Sequence, residues 1–198
     1  MCGRYLVDDE TYADALDRIA DLKAAESLAR GEVFPTNLAP VLTAGGVAAV
    51  RWGFPHWKNS GVIINARAET ALEKNIFRKP LLERRCVVLS GGFFEWDKAG
   101  GGKKKDKYLL RLPGERILYM AGMVSDFRDS GGEVYSAFVI LTTAANESVS
   151  KLHNRMPVIL DPCERDRWID DDSFLGSALS RTGPELRSSI VQQALVNA

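Results

Sequence analysis

The sequence predicts a single α+β domain, residues 1–198, in which mostly antiparallel β-sheets are flanked by peripheral helices. Short apolar runs separated by Gly, Asp and Ser turn signals predict strands through the middle of the chain. Apolar residues at helical spacing occur near its two ends. The composition, 45% hydrophobic and 26% charged over 198 residues, suits one packed domain and excludes disordered, collagen-like and disulfide-dense chains.

The N-terminal quarter is predicted to form one helix and then a strand hairpin. Apolar residues recur at helical spacing from Glu10 to Arg30, with acidic residues early and Gly31 as a stop signal. Strands are predicted from Pro40 to Thr43 and from Val47 to Trp52. The pair Gly45-Gly46 between these strands is typical of a hairpin turn.

The middle of the chain is predicted to hold a short helix, a buried strand and an exposed loop. The helix runs from Glu69 to Leu82, and the apolar run from Cys86 to Leu89 is short enough to be a buried strand. The stretch from Ala99 to Lys107 is rich in glycine and lysine, which predicts an exposed hairpin loop.

The C-terminal half is predicted to continue with two strands and to end with helices. The strands run from Ile117 to Val124 and from Val134 to Thr143, with a turn over Asp129–Gly132 between them. Helices are predicted around Glu164–Asp170 and Pro184–Ala194.

The charge balance excludes nucleic-acid binding through bulk charge. The chain has 26 Lys and Arg residues and 26 Asp and Glu residues, so its formal net charge is zero. A protein that coats a phosphate backbone needs an excess of cations near that backbone. A local basic groove is still compatible with this composition.

The cysteines and histidines do not follow a metal-binding pattern. Cys2, Cys86 and Cys163 are widely spaced, and the chain has only two imidazoles, His56 and His153. We therefore expect free thiols, no metal and no cofactor. No uncharged apolar run reaches the about 18 residues of a spanning helix, and the N-terminus lacks the order of a signal peptide. A cytoplasmic protein without membrane attachment is expected.

Cys2 is the most informative candidate residue. If processing removes Met1, Cys2 becomes the N-terminus and carries two nucleophiles, an α-amine and a thiol. The α-amine has a reference pKa of about 7.7–8.0, against about 10.4 for a lysine, so part of it is unprotonated near neutrality. An amine and a neighbouring thiol together trap an aldehyde as a five-membered thiazolidine. The alternative is that Cys2 is an ordinary second residue in a disordered tail.

Asn65 and Arg67 form a second candidate, in the segment Asn65-Ala66-Arg67-Ala68-Glu69. If the preceding strand continues through them, the two side chains share one face. An amide and a guanidinium on one face can hold an oxyanion or a phosphate. Alternatively, Arg67 and Glu69 form a simple ion pair.

Glu95 and His153 are candidates for proton transfer. Glu95 lies among aromatic residues, and a buried carboxylate suits a group that gives and takes protons. Strand alternation could instead point Glu95 into solvent beside Phe93. Histidine is the natural proton carrier near pH 7, although a lone histidine is more often a structural residue.

Basic and aromatic residues interleave in a way that predicts a nucleic-acid surface. The lysine cluster from Lys103 to Lys107 could contact phosphates, but such a loop tip is more often only solvated. The stronger set combines cations for phosphates with aromatic faces for unpaired bases. Its members are Arg4, Arg51, Arg67, Trp52, Phe54 and Trp57.

Several separated motifs occur in an order that resembles the SRAP family, the SOS response-associated peptidases. The resemblance covers the chain from Cys2 to about Trp168. Its motifs are Met1-Cys2-Gly3-Arg4-Tyr5, Arg51-Trp52-Gly53, Asn65-Ala66-Arg67-Ala68-Glu69, Arg84-Arg85-Cys86, Gly92-Phe93-Phe94-Glu95-Trp96 and His153-Asn154-Arg155-Met156-Pro157. The resemblance implies an SRAP-like fold with a barrel-like core, and a monomer that senses abasic sites in single-stranded DNA and joins the nucleoid when bound to damage.

The resemblance also implies residue roles. Cys2 is the nucleophile that crosslinks to the ring-opened sugar, and Asn65 orients it and the aldehyde oxygen. Glu95 transfers protons in imine formation and reversal, and His153 assists ring opening. The same residues would perform an autoproteolytic removal of Met1. The residues that the resemblance assigns to DNA reading are Arg4, Trp52, Arg67 and Thr142.

Two positions depart from the family pattern. Ser90-Gly91 replaces a Pro-Ala-Asp-like segment, and Phe94 replaces a common tyrosine beside Glu95. Two other functions remain as alternatives: a cysteine peptidase that turns over proteins through Cys2 and His153, and a non-covalent reader of single-stranded DNA.

Overall fold

The computed structural model describes residues 3–17, 19, 26–56, 60–97 and 105–191. The strands in this part of the chain are β1 (Tyr5–Val7), β2 (Gly31–Val33), β3 (Leu38–Thr43), β4 (Gly46–Trp52), β5 (Phe54–Pro55), β6 (Val62–Ile63), β7 (Asn65–Arg67), β8 (Arg85–Ser90), β9 (Gly92–Trp96), β10 (Lys107–Arg111), β11 (Leu118–Arg128), β12 (Val134–Ala144), β13 (Arg155–Pro157), β14 (Ile159–Leu160) and β15 (Arg187–Ile190). The α-helices are α1 (Asp9–Leu16), α2 (Asn75–Glu83), α3 (Glu147–Ser150), α4 (Arg165–Asp170) and α5 (Leu175–Ser180). Short 3-10 helices cover Ala68–Glu73, Pro162–Glu164 and Asp172–Phe174.

A closed five-stranded barrel forms the centre of the fold. Its strands pair in the order β12, β4, β3, β8 and β11, and β11 pairs back onto β12. The pairs are antiparallel except for β4 and β12, which run parallel with Ala137 opposite Arg51. Closure leaves the barrel without a free edge. The α+β prediction is confirmed, with the barrel as its core.

A second antiparallel sheet packs against the barrel. Its strand order is β15, β10, β9, β1 and β2. One face contributes Tyr5, Phe93 and Leu110 to a core cluster that also contains Phe138 and Ile140 of β12, and all five side chains are fully buried. The N-terminal strand β1 is therefore held inside the sheet and against the barrel.

Most predicted strands and helices are present. The hairpin of β3 and β4, the buried strand β8, the pair β11–β12 and helix α4 lie where the sequence places them. The helix predicted from Glu69 to Leu82 is divided into a 3-10 helix and α2. In the hairpin the turn is Ala44-Gly45, and Gly46 begins β4 with φ +99°, a conformation that favours glycine.

The helix predicted from Glu10 to Arg30 is wrong in its length. Helix α1 ends at Leu16, and Ile19 pairs with Val47 and is almost buried in the barrel core. Farther along, the N–H of Ala29 donates to the carbonyl of Leu38, so the chain already approaches the sheet there. Tertiary burial and strand pairing override the helical pattern in this segment. Residues 18 and 20–25 lie outside the described residues.

The helix predicted over Pro184–Ala194 is also wrong within the part that the structure describes. Residues 187–190 form β15, which pairs antiparallel with β10. All four residues of β15 are exposed, so backbone pairing with β10 determines this conformation, and burial does not. Most of the lysine-rich loop predicted over Ala99–Lys107 lies outside the described residues, although its flanking strands β9 and β10 do pair antiparallel.

A C-terminal segment, residues 181–186, connects the barrel to β15. The Arg181 guanidinium donates to both carboxylate oxygens of Glu164, at 2.6 and 2.8 Å. The Asn146 side-chain amide donates to the carbonyls of Gly183 and Pro184. These bonds fix the segment across the His153 motif, where a Cβ on Gly183 would lie within 2.4 Å of Met156.

We predict that Gly122→Ala destabilises the barrel. A Cβ at this position would lie 2.8 Å from the carbonyl oxygen of Val139 and 3.1 Å from the sulfur of Cys86. Overpacking of this kind costs about 1–3 kcal/mol of unfolding free energy. Gly176→Ala in α5 is the matched control, because its Cβ would meet nothing within 4 Å. Urea unfolding should separate the two variants, and equal midpoints would contradict this account of barrel packing.

We predict that Glu164 contributes to stability in a pH-dependent way. Hydrogen bonds from Arg181 hold the pKa of this carboxyl below its ordinary value of 4.5. A lowered folded-state pKa stabilises the protein above the unfolded pKa, and that stability is lost as the pH falls through the folded value. Glu164→Gln should therefore be less stable than wild type at pH 7, and the difference should shrink in acid.

Chemical unfolding at pH 7 and at pH 3 measures this difference. Glu83→Gln is the control, because Glu83 contacts Lys79 only at 3.9 Å and both side chains are largely exposed. A constant difference between wild type and Glu164→Gln at the two pH values would reject the ion pair as its cause.

Candidate functional site

Strand β7 places Asn65 and Arg67 at one end of the barrel. It runs parallel to β12, with Asn65 opposite Ile140 and Arg67 opposite Thr142. Ala66 between them is buried, whereas Asn65 is half-buried and Arg67 is exposed. This alternation puts the amide and the guanidinium on the same side of the strand, as the sequence predicts.

His153 lies between α3 and β13, on the other side of β12. Its backbone N–H donates to the carbonyl of Val149 at 3.0 Å, which fixes the residue at the end of the helical turn. Its Nδ1 accepts a hydrogen bond from the backbone N–H of Arg155 at 3.0 Å. Since an acceptor nitrogen has no proton, the neutral imidazole holds its proton on Nε2.

Arg155 and Glu69 join these two segments. The guanidinium donates to both carboxylate oxygens of Glu69, at 2.6 and 2.7 Å, and to the carbonyl oxygen of Thr142 at 2.5 Å. The Arg155 side chain is only 13% exposed. Its hydrogen bonds hold the pKa of Glu69 below the usual range. Glu69 thus pairs with Arg155, and the simple Arg67–Glu69 pair considered from the sequence is not the arrangement found.

Glu95 is a buried carboxylate of the second sheet. Its residue is 4% exposed, and it lies on the same face of β9 as Phe93, toward the core shared with the barrel. The interpretation in which Glu95 points into solvent is therefore wrong. Burial of a carboxylate is costly without polar partners, which is why such a group in a structure often serves proton transfer.

Trp52 connects the N-terminal strand to the Asn65 strand from within the core. Its Nε1–H donates to the carbonyl of Ile64 at 3.1 Å. Its ring forms a T-shaped contact with Tyr5, with centroids 4.9 Å apart, and stacks on Phe138 at 6.3 Å. Because Ile64 directly precedes Asn65, this one side chain fixes both strands relative to each other.

Two residues that the resemblance assigns to DNA reading are inside the protein. Trp52 and Thr142 are both fully buried, and the Thr142 hydroxyl donates to the carbonyl of Ala66 at 3.3 Å. In this conformation neither side chain presents a surface to a nucleic acid. Their contacts instead hold β7, and therefore Asn65 and Arg67, in position.

Arg4 stands at the surface next to the start of β1. Its guanidinium lies 4.6 Å from the centroid of the Phe34 ring and 5.0 Å from that of Trp96, and it donates to Glu32 at 3.0 Å. Cys2 precedes it by two residues and lies outside the described residues. Trp57 and the lysines from 103 to 104 lie outside them as well.

The site contains residues that the sequence analysis did not single out. Arg155 and Glu69 both belong to motifs quoted for the family resemblance, so a signal for them existed. Lys107 is the last member of the lysine cluster considered from the sequence, whereas Glu32 stands in no motif and had no such signal.

Other features lie away from these residues. A cavity of about 350 Å³ opens at the opposite end of the barrel, beside the β3–β4 hairpin and Arg84, and none of the candidate residues lines it.

Within residues that the structure describes, no group of three or more His, Cys, Asp and Glu side chains could hold a metal ion. The described helices are all too short or too polar to cross a membrane. His56 is half-buried, and its backbone N–H donates to the carbonyl of Gly61 at 3.1 Å.

Comparisons with known proteins identify the family of the chain. The model of the family described as SOS response associated peptidase (SRAP) matches residues 1–197. Abasic site processing protein YoqW of Bacillus subtilis is 30% identical over 217 residues, which cover 100% of this chain and 95% of YoqW. Abasic site processing protein YedK of Escherichia coli is 32% identical over 181 residues, which cover 85% of this chain and 79% of YedK.

A solved structure is similar over nearly the same range. A crystal structure of a protein from Bacteroides thetaiotaomicron superposes with a TM-score of 0.83 at 25% identity, covering 96% of this chain and 92% of that one. The motifs, the barrel with its flanking sheet and the family match therefore agree, and the chain belongs to the SRAP family.

Proposed function

We propose that this chain processes abasic sites in single-stranded DNA by forming a covalent crosslink through Cys2, after Met1 has been removed. Relatives over the length of the chain are named abasic site processing proteins, which supports the substrate class. The observation that carries the proposal is the junction at β12. There Arg155 and Glu69 join the Asn65 strand to the His153 loop, and Trp52 connects the same strand to the N-terminal strand.

Ring opening is the first step of the proposed reaction. An abasic deoxyribose is mostly a closed hemiacetal, and its aldehyde appears when the bond between C1′ and the ring oxygen breaks. The Nε2–H of His153 donates a hydrogen bond to that ring oxygen, which takes a proton from water as the C1′ hydroxyl loses its own proton to water. The hydrogen bond from Arg155 to Nδ1 supports this role, because it keeps the proton on Nε2.

Capture of the aldehyde follows in two bond-forming steps. The α-amine of Cys2 adds to C1′, and Glu95 protonates the resulting hydroxyl, which leaves as water and gives an imine. The thiol sulfur then adds to the imine carbon, and its proton goes to the nitrogen. The product is a thiazolidine, with one water released in total. Asn65 orients the aldehyde oxygen, and the same groups reverse the reaction with water as the reactant.

The peptidase step is proposed as maturation of the same site. Removal of Met1 needs a nucleophile at Cys2 and a proton donor for the new amine, and both are already required for crosslinking. Surface contacts to DNA are proposed for Arg4 and Arg67, because both guanidinium groups reach solvent. These local cations suit a chain whose net charge is zero.

We predict that Cys2→Ala abolishes the crosslink. Wild-type protein incubated with single strands that contain an abasic site should give a band that survives denaturing electrophoresis. Cys163→Ala is the control, because Cys163 is an exposed thiol outside the site and its variant should crosslink like wild type. A crosslink that persists in Cys2→Ala would reject the mechanism. Multiple turnover of peptides without DNA would favour the peptidase instead.

We predict that Glu95→Gln slows crosslinking without weakening DNA binding. Loss of a positioned proton donor typically costs about 10²–10⁴-fold in rate. Glu133→Gln, which removes a carboxylate from an exposed turn, should react at the wild-type rate. Single-turnover rates at saturating DNA measure the effect, and dissociation constants are taken in the Cys2→Ala background. An unchanged rate for Glu95→Gln would remove Glu95 from the proposed chemistry.

A further inference from the structure

The outer face of the second sheet holds two cations on one carboxylate. Arg4 donates to Oε1 of Glu32 at 3.0 Å, and the Lys107 ammonium donates to Oε2. The three residues come from the start of β1, from β2 and from the first position of β10. All three lie at the end of the sheet where the N-terminal strand begins, and Arg4 is two residues after Cys2.

Aromatic rings fix both cations independently of Glu32. The Arg4 guanidinium lies against Phe34 and Trp96, and the Lys107 ammonium lies 4.1 Å from the centroid of Phe94 and 5.8 Å from that of Trp96. Such cation–π contacts hold a cation over a ring without neutralising it. Removing the carboxylate would therefore leave two positive charges in nearly the same places.

The carboxylate itself is kept ionised. Burial raises the pKa of Glu32, but the hydrogen bonds and charges of Lys107 and Arg4 outweigh that effect and hold the pKa below its ordinary value. Glu32 is therefore an anion with one oxygen on each cation. A phosphodiester offers the same pattern, because its two non-bridging oxygens share one negative charge.

We propose that Arg4 and Lys107 form a subsite for one backbone phosphate of single-stranded DNA, which Glu32 occupies in the free protein as a competitor. The DNA phosphate displaces the carboxylate when the strand binds. Phe34 supports a nucleotide as the occupant, because this residue is 41% exposed beside the guanidinium and a neighbouring base or sugar can stack on its ring. This inference rests on the proposed function, since it concerns the strand that carries the lesion.

The proposal predicts opposite effects on DNA affinity for substitutions at Lys107 and at Glu32. Lys107→Met keeps the contact with the rings but removes the charge, so affinity for single-stranded DNA should fall about three- to fivefold. Its salt dependence should become shallower by about 0.7 in the slope of log K against log salt, the value for one phosphate on a single strand. Lys107→Arg should restore the slope. Glu32→Gln should bind the strand about three- to fivefold tighter, because a neutral amide does not compete with the phosphate for the two cations.

The experiment measures equilibrium binding of an undamaged single-stranded oligonucleotide between 50 and 200 mM salt. Asp126→Asn is the control, because this substitution also removes one negative charge that is paired with an arginine, Arg84. Asp126 lies near the opposite end of the barrel. Asp126→Asn should bind like wild type. Thermal unfolding of each variant shows that it is folded.

Two results would overturn the subsite. The first is a Glu32→Gln variant that binds no tighter than Asp126→Asn. The second is a Lys107→Met variant whose salt slope equals that of wild type. Because undamaged DNA cannot crosslink, this experiment is independent of Cys2. A wild-type protein that binds the strand but never crosslinks to an abasic site would contradict the proposed function and leave the subsite standing.

Discussion

Strand β12 is the element on which the rest of the structure depends. Its central part pairs with β11 and β4 and closes the barrel, and its last residues pair with β7 and β13. Seven consecutive residues of this strand, 137–143, are buried, so both of its faces are packed. The Asn65 strand and the His153 motif are held on its two sides. A barrel that could not close at β12 would separate them.

The geometry of the candidate site depends on two connections made at this strand. One is the ion pair of Arg155 and Glu69, which joins the two motifs through charge-assisted hydrogen bonds. The other is Trp52, which reaches from the core to the residue before Asn65 and contacts Tyr5 of the N-terminal strand. Together they position groups from distant parts of the chain. Arg4, Lys107 and Glu32 lie outside this buried region, on the outer face of the second sheet.

The sequence predicts those features of the fold that depend on neighbouring residues alone. Alternation predicts the strands of the β3–β4 hairpin and the shared face of Asn65 and Arg67, because side chains in a strand alternate whatever the strand pairs with. The ends of the helices depend more on contacts with distant residues than on the local sequence. Helix α1 ends early because Ile19 enters the barrel core, and residues 187–190 form a strand because β10 offers them an edge.

Contacts between distant segments could not be predicted from one sequence. Arg155 and Glu69 are 86 positions apart, and the pairing of both β7 and β13 with β12 brings them together. The same holds for Trp52. Its neighbours in sequence suggest an aromatic surface for bases, but the closed barrel buries its ring completely. Aromatic composition does not distinguish a stacking surface from a core, because both use the same residue types.

The most direct test of the account is the mass-spectrometric location of the DNA adduct. Wild-type protein is reacted with an abasic single strand, digested with nuclease and protease, and the modified peptide is sequenced. The account predicts a peptide that begins at Cys2, lacks Met1 and carries the sugar on both the α-amine and the thiol of that one residue. A sugar attached to a lysine, or a crosslinked peptide that retains Met1, would contradict it.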